Sequence, residues 1–403
     1  MKNEQKTITN ANEVRQNKPN VPTLRFPDFS EEWRSTPMKN VCSFAKGYGI
    51  AKENLSTEGT PCILYGELYT TYKTAIAKDI RSKTQLDPTD LFHSKANDVI
   101  IPCSGETAID IATSVCVPYD DVLLGGDLTV IRTKLNGAFL SNQLNGVRRK
   151  KIATIAQGAS IVHLHADELK KINIKYPTRE EQDKIAHFID CLDERIATQN
   201  KIIEDLKILK KELCNKVFRS FQCVRLGDYI EEITTRNRSN YCDNVLSVSN
   251  KLGFVKQSEQ FEDRTIASED KRNYKVVTTG CFAYNPARIN VGSIALLSSD
   301  IRGIISPMYI CFKTKHGLSE EYLNFYYQSG FFFKELQKRL EGSVRQCLTY
   351  ENMCDMQIPF AEVERQVEIA DKLKRFACLI ENEEKYLKLL RRQKAYFLNA
   401  MFI

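Results

Sequence analysis

The feature that most constrains this chain is that it repeats itself at a fixed offset. Gly146 recurs as Gly330, Gly158 as Gly342, Ile174 as Ile358, Gln182 as Gln366 and Ile185 as Ile369. Each pair is separated by 184 residues, as from Gly158 to Gly342. The offset holds across two unlike regions, the end of a globular stretch and the start of a long helix, so it marks a duplicated module. Two copies of a globular unit, each followed by a helix, make two similar binding faces a fixed distance apart.

The helices are the clearest elements. Thr178-Arg179-Glu180-Glu181 has the capping-box pattern, in which the threonine oxygen accepts from the third helical amide and Glu181 reaches back. Pro177 before it separates the helix from the preceding strand. Ile189, Leu192, Ile196, Ile203, Leu206, Leu213 and Val217 then alternate at spacings of three and four. Leu373, Phe376, Ile380, Leu387, Leu390, Phe397 and Met401 keep the same register in the second copy. Both seams are interrupted alike, by Gln199 and Glu383 and then by Lys210 and Lys394. A sustained 3.5-residue repeat predicts coiled-coil packing, with helices of about 40 residues running roughly 60 Å at 1.5 Å per residue. Packing the two antiparallel against each other accounts for their shared register better than laying each on its own domain.

The expected organisation is a disordered tail (1–20), a globular unit (21–177), a helix (178–220), a second globular unit (221–360) and a second helix (361–403). The fold class expected is α+β: two similar α/β domains separated by two long antiparallel coiled-coil helices, with pseudo-two-fold symmetry. Asp98–Ile101 and Leu128–Arg132 read as strands in the first unit, with counterparts in Gly280–Tyr284 and Met308–Phe312. Each unit then has a helical stretch (Phe139–Ala156, Ser319–Leu340), a loop at Gly158 or Gly342, and a last strand through Ile172–Ile174 or Met356–Ile358. Phe331-Phe332-Phe333 is expected to bury against its own sheet, with a partner interface as the sharper option.

Composition narrows the function. At 403 residues, 42% hydrophobic and 27% charged, the chain can hold two or three domains with sizeable cores. No apolar run reaches the roughly 20 residues of a membrane span, and Met1–Asn20 lacks the apolar stretch of a signal peptide. The 13 cysteines include no Cys-x-x-Cys pair, which suggests reduced thiols in the cytoplasm and argues against structural zinc. His163 and His165 are the only close histidine pair; on a strand they share a face, and a packed or surface pair is the simpler reading than a metal site. The net charge of +7 is mild, and no segment is a basic arm. Nucleic-acid binding then requires charge gathered on one face, or a partner that neutralises much of the phosphate.

Catalytic signatures are missing. No phosphate-binding Gly-x-x-x-x-Gly-Lys, Gly-x-Gly-x-x-Gly or Gly-x-Ser-x-Gly pattern occurs. Tyr284-Asn285-Pro286-Ala287 lacks the second proline and the aromatic of the loop that amino-methyltransferases use to hold a flipped base, and no cofactor loop lies upstream. No Glu-x-Lys triplet closely follows Pro27-Asp28, the one in its unit being the distant Glu168-Leu169-Lys170, so a turn before Phe29 is the simpler reading. A binding protein is the stronger expectation, with no catalytic, cofactor or metal residue assigned.

Two globular units, two heptad helices and no catalytic motif resemble the specificity subunit of type I restriction–modification systems. The letters that carry the resemblance are Pro22-Thr23-Leu24-Arg25-Phe26-Pro27-Asp28-Phe29 with Trp33, and the two helix entries. These read Ile174-Lys175-Tyr176-Pro177 with Glu181, Gln182 and Ile185, then Ile358-Pro359-Phe360 with Gln366 and Ile369. Arg365 stands where the first copy has Glu181, which puts that capping contact in doubt in the second. The resemblance implies that each globular unit is a target recognition domain reading one half of a split, asymmetric site in double-stranded DNA. The helices would set the gap and dock two methyltransferase subunits. S-adenosylmethionine, ATP and magnesium would belong to those subunits and to the restriction subunits, leaving no cofactor on this chain. Two readings of other classes stay open: a self-contained DNA-modifying enzyme, and a coiled-coil adaptor with no DNA role.

Base edges are read by Arg, Lys, Asn and Gln, and phosphates by basic, hydroxyl and amide groups. On that chemistry the DNA-contact candidates of the first unit are Lys46, Tyr48, Thr70, Thr71, Lys73, Gln157 and Ser160, with Arg148 and Arg149 for phosphates. Those of the second are Arg236, Asn237, Arg238, Asn285, Arg288, Asn290, Ser343, Arg345 and Gln346. Tyr69 and Tyr72 read slightly better as core than as contacts. The loops at Gly158 and Gly342 rank first, because both copies keep the glycine.

Overall fold

The computed structural model describes residues 20–158, 161–250, 252–257, 270–342 and 346–403. Two compact units emerge, and their borders cut through the helices. The first runs to Asn200 and takes in Lys385–Ile403; the second is Lys201–Glu384. The expected tail of residues 1–20 lies, but for Asn20, outside the described residues.

In the first unit the central sheet has the order Cys42–Lys46, Leu128–Thr133, Asp98–Pro102, Val115–Val117, antiparallel throughout. Asp98–Pro102 is buried at every position, because the sheet is covered on both faces. Strand alternation sorts the side chains. Val99, Ile101 and Ile131 face a core with Trp33, Met38, Phe139 and Ile189, while Ile100, Val115 and Val130 face Ile63 and Leu68. A second small sheet, Leu55–Ser56, Lys83–Thr84, Thr60–Ile63 and Leu123–Leu124, closes that other face.

The second unit repeats the central order as Ile230–Glu232, Ile310–Thr314, Phe282–Tyr284, Ile294–Leu296. Its alternation repeats too: Phe282, Tyr284 and Phe312 meet the helix-side core, and Ala283 and Cys311 meet Leu246, Val248 and Ile305. Gly280 and Cys281 precede the strand that begins at Phe282, since Gly280 turns at φ +83°. The other sheet differs, with Val245–Ser249 and Gly303–Ile305 as a central parallel pair. Each expected helical stretch is two helices: Gly137–Asn145 and Arg149–Ile155, then Glu320–Tyr326 and Gly330–Gln337. Asn136, Ser319 and Ser329 cap three of them by accepting from an amide in the first turn. Phe332 is fully buried against Tyr326 and Tyr327, whereas Phe333 is partly exposed.

Two-stranded ribbons lead into the helices. Arg34–Pro37 pairs with Asn173–Tyr176, and Cys223–Arg225 with Gln357–Pro359. The helices run Arg179–Phe218 and Val363–Ala400. The repeated glutamine has a structural explanation. Gln182 accepts from the Asn136 amide (2.9 Å) and donates to the Pro177 carbonyl (2.9 Å). Gln366 accepts from the Ser319 amide (2.8 Å) and donates to Ala361 (2.8 Å) and Gly317 (2.9 Å). Both are buried, clamping the helix start to the strand before it and to the neighbouring helix cap.

The capping box departs from expectation. Glu181 does not reach back; its fully buried carboxylate accepts Arg25 Nε (2.7 Å) and Nη2 (2.6 Å). A bidentate guanidinium partner is stronger than one amide, so the helix entry is tied to the segment before Trp33. In the same unit Phe188 meets Phe397 edge-on at 4.9 Å and buried Asp193 accepts from Lys394 Nζ, so the helices pack antiparallel there. In the second unit Lys207 Nζ donates to Glu384 (2.5 Å), and Ile203, Leu373 and Ile380 are buried. Cys214 and Phe218 are buried while Leu213 and Val217 are half-buried, because the helix rotates its inner face toward its globular core.

A candidate nucleic-acid interface

The Gly158 and Gly342 loops are closed at their described ends by the same main-chain pairing. In the first unit Gln157 and His163 exchange two main-chain hydrogen bonds, 2.9 and 2.7 Å. In the second, Glu341 and Cys347 do so at 2.9 and 2.8 Å. Each loop is anchored at its exit, by the Leu164 amide on Cys103 O (2.8 Å) and the Leu348 amide on Pro286 O (3.2 Å). Both glycines have positive φ, +131° and +101°. A Cβ on Gly158 would lie 2.0 Å from Ile161 O, so this glycine is required by the loop's own closure. Gly47 also serves packing, since a Cβ there would lie 2.3 Å from Gly125 O. Close approach to a ligand is not what these two glycines are for.

Around the first loop the unit gathers several candidates. Lys46, at the end of its strand, lines a cavity of about 380 Å³ with His163 and His165, which follow Gln157 across the loop. Tyr69 lies near the short strand Ser104–Gly105, its ring 3.8 Å from where a Cβ on Gly105 would stand, and that strand pairs with Val162–His163. Exposed Thr70, Thr71 and Lys73 end the helical turn that carries Tyr69. Thr70 Oγ1 donates to Gly66 O (2.8 Å) and Lys73 Nζ to Tyr69 O (3.3 Å). Tyr48 is exposed and lies edge-on to Phe92. Tyr72 is core, and burial pushes its hydroxyl well above the ordinary range.

The second unit gathers Asn285, Arg288 and Asn290 on one tight loop. Asn285 Oδ1 accepts from the Ala287 amide (3.1 Å), and the Ser293 amide donates to Arg288 O (3.2 Å). Arg288 and Asn290 are exposed. Pro286 in this loop holds Leu348, two residues from exposed Gln346, so the two loops are neighbours. Arg236 and Arg238 are exposed at the edge of the other sheet, Arg236 donating to Asn273 Oδ1 (3.1 Å) and bridging Lys275. No described contact joins them to the Gly342 loop.

Three candidates are spent inside the fold. Asn237 is fully buried; its amide donates to Cys242 O (2.9 Å) and accepts from the Cys242 amide (3.3 Å), closing a turn. Arg148 donates to Asn173 O (2.8 Å) and to Ile403 O (2.9 Å), and burial lowers its basicity. Arg149 donates to Ile109 O and Thr113 Oγ1, both at 3.2 Å. These side chains are engaged by oxygens of the fold, most of them main-chain. Ser160, Ser343 and Arg345 lie outside the described residues. Residues not singled out by sequence complete the cavity, chiefly Cys103, Asp127, Thr129 and Lys170; the only sequence signal for it is the His163–His165 spacing. Burial pushes the Cys103 thiol up, which keeps it protonated at neutral pH. Among the described residues no group of three or more His, Cys, Asp or Glu is placed to hold a metal ion. No helix among them is long and apolar enough to cross a membrane.

Comparison with known proteins fits this architecture. Residues 30–207 match the type I restriction modification DNA specificity domain. The MjaVIII specificity subunit of Methanocaldococcus jannaschii is 24% identical over 76% of this chain and 78% of its own. The putative MjaX specificity subunit of the same organism is 23% identical over 95% of each chain. In sequence the chain is thus similar to type I specificity subunits. Its fold is also that of the solved type I S subunit from M. genitalium, with a TM-score of 0.60 over 95% of this chain and 99% of that one, at 14% identity.

Proposed function

We propose that this chain is a specificity subunit that selects the DNA sequence for a type I restriction–modification complex and performs no chemistry itself. Each unit reads one half of a bipartite, asymmetric site in double-stranded DNA. The helices set the gap and dock two methyltransferase subunits; restriction subunits join them in the cytoplasm, and S-adenosylmethionine, ATP and magnesium are carried by the partners. The observation that carries this reading is that the two units share a central sheet order and a glycine loop of identical closure while differing in the side chains around it. A duplicated scaffold with unlike contact residues suits two half-sites of unlike sequence, because phosphate contacts position a protein and base contacts specify the site.

The test is single-molecule methylome sequencing of host DNA with and without this chain, its methyltransferase partner present. A split adenine-methylated motif that disappears with the chain is the expected result. An unchanged methylome in a host whose methyltransferase is active would refute the proposal.

A further inference from the structure

The 380 Å³ cavity of the first unit has a chemistry that the second unit does not repeat. Lys46 and Lys170 carry its positive charge, His163 and His165 lie exposed along one side, and Asp127 and Cys103 complete it. Both ammonium groups are held loosely. Among the described residues Lys46 meets only Asp127, at 4.0 Å, with side chains 70% and 50% exposed. Lys170 donates to Asp167 (2.8 Å), an exposed carboxylate one helical turn away. Such exposed pairs hold their partners weakly and yield to a better anion. Neither imidazole hydrogen-bonds to a described residue, and both side chains line the cavity. At the same offset of 184 the second unit has Cys347, Thr349 and Cys354 in place of His163, His165 and Lys170.

We infer that this cavity is a seat for one DNA backbone phosphate, present on the first unit alone. The inference rests on the specificity-subunit reading and deepens it. A phosphodiester is the anion that fits the surroundings. The cavity lies at the foot of the Gln157–His163 loop, and the strand carrying His163 pairs with Ser104–Gly105. Two lysines and two imidazoles offer donors to a group that is all acceptors. The second unit, lacking this seat, must hold its half-site by other contacts.

The experiment measures binding of the full chain to a duplex carrying its methylated motif, by fluorescence anisotropy over a salt series. Removing one phosphate contact makes the slope of log affinity against log salt less steep by about 0.9. That reduction is expected for Lys46→Ala combined with Lys170→Ala, with the same fold loss on a matched and a mismatched duplex. Asp127→Asn should act oppositely and tighten binding, which misfolding cannot mimic; Asn tolerates the positive φ of 57° at this position. Parental slopes in both variants would overturn the phosphate seat. A parent chain that binds no duplex at any salt would overturn the specificity reading itself.

Discussion

Removing Lys394 should leave a charge stranded in the helix seam. Asp193 and Lys394 form an ion pair whose side chains are 7% and 18% exposed. At an effective dielectric near 20, unit charges about 4 Å apart attract by about 4 kcal/mol, and this pair is in direct contact. Desolvating each ion costs several kcal/mol, so the pair roughly breaks even against an apolar isostere. Breaking it does not: Lys394→Met should cost about 3–5 kcal/mol, most of it the uncompensated carboxylate. Burial raises the Asp193 carboxyl above its ordinary range, and Lys394 opposes that rise. A carboxyl with a raised folded pKa binds its proton more tightly when folded, so its penalty grows as pH rises and is relieved by acid. Without Lys394 the folded pKa rises further, and the deficit should be largest at neutral pH and smaller at about pH 5. The assay is urea unfolding followed by Trp33, the single tryptophan, which lies in the core of this unit against Phe139 and Phe402. Asp193→Leu combined with Lys394→Met should return stability to within about 1 kcal/mol of the parent or above it. A Lys394→Met deficit under about 1 kcal/mol, equal at both pH values, would refute the buried-pair argument.

Gln366→Ala strips three hydrogen bonds from the second helix entry and should cost about 2–4 kcal/mol in circular-dichroism unfolding. Gly158→Ala forces a Cβ toward Ile161 O at a φ of +131°, and should lower stability by about 1–3 kcal/mol and expose the loop to limited proteolysis. Thiol titration of the native chain should show Cys191, Cys223 and Cys378 reacting first, since these are exposed. Buried Cys62, Cys116 and Cys311, whose thiols are pushed up to about 11, about 12 and about 12, should react only on unfolding.

The expectations that stood on periodicity and those that stood on single polar residues fared differently. The heptad positions Ile189, Ile203, Leu373 and Leu390 are buried, because a 3.5-residue repeat fixes a helix face whatever that face meets. The strands Asp98–Pro102 and Leu128–Thr133 were legible as apolar runs too long for a turn. The 184-residue offset fixed which residues correspond, and it held down to the hydrogen bonds of Gln182 and Gln366 and the closure of the two glycine loops.

Asn237 and Arg148 show where sequence reasoning stops. Both have the right donors for DNA, yet each is engaged by a main-chain oxygen, and only the folded chain reveals that pairing. Lys46 lies far in sequence from His163 and Lys170 and meets them only because the central sheet brings the end of one strand beside the foot of a loop. The sequence by itself determined the duplication, the helices and their inner faces, since these follow from local spacing. Tertiary structure alone decided which polar side chains remain free for a ligand, because a donor's availability depends on neighbours that local spacing does not specify.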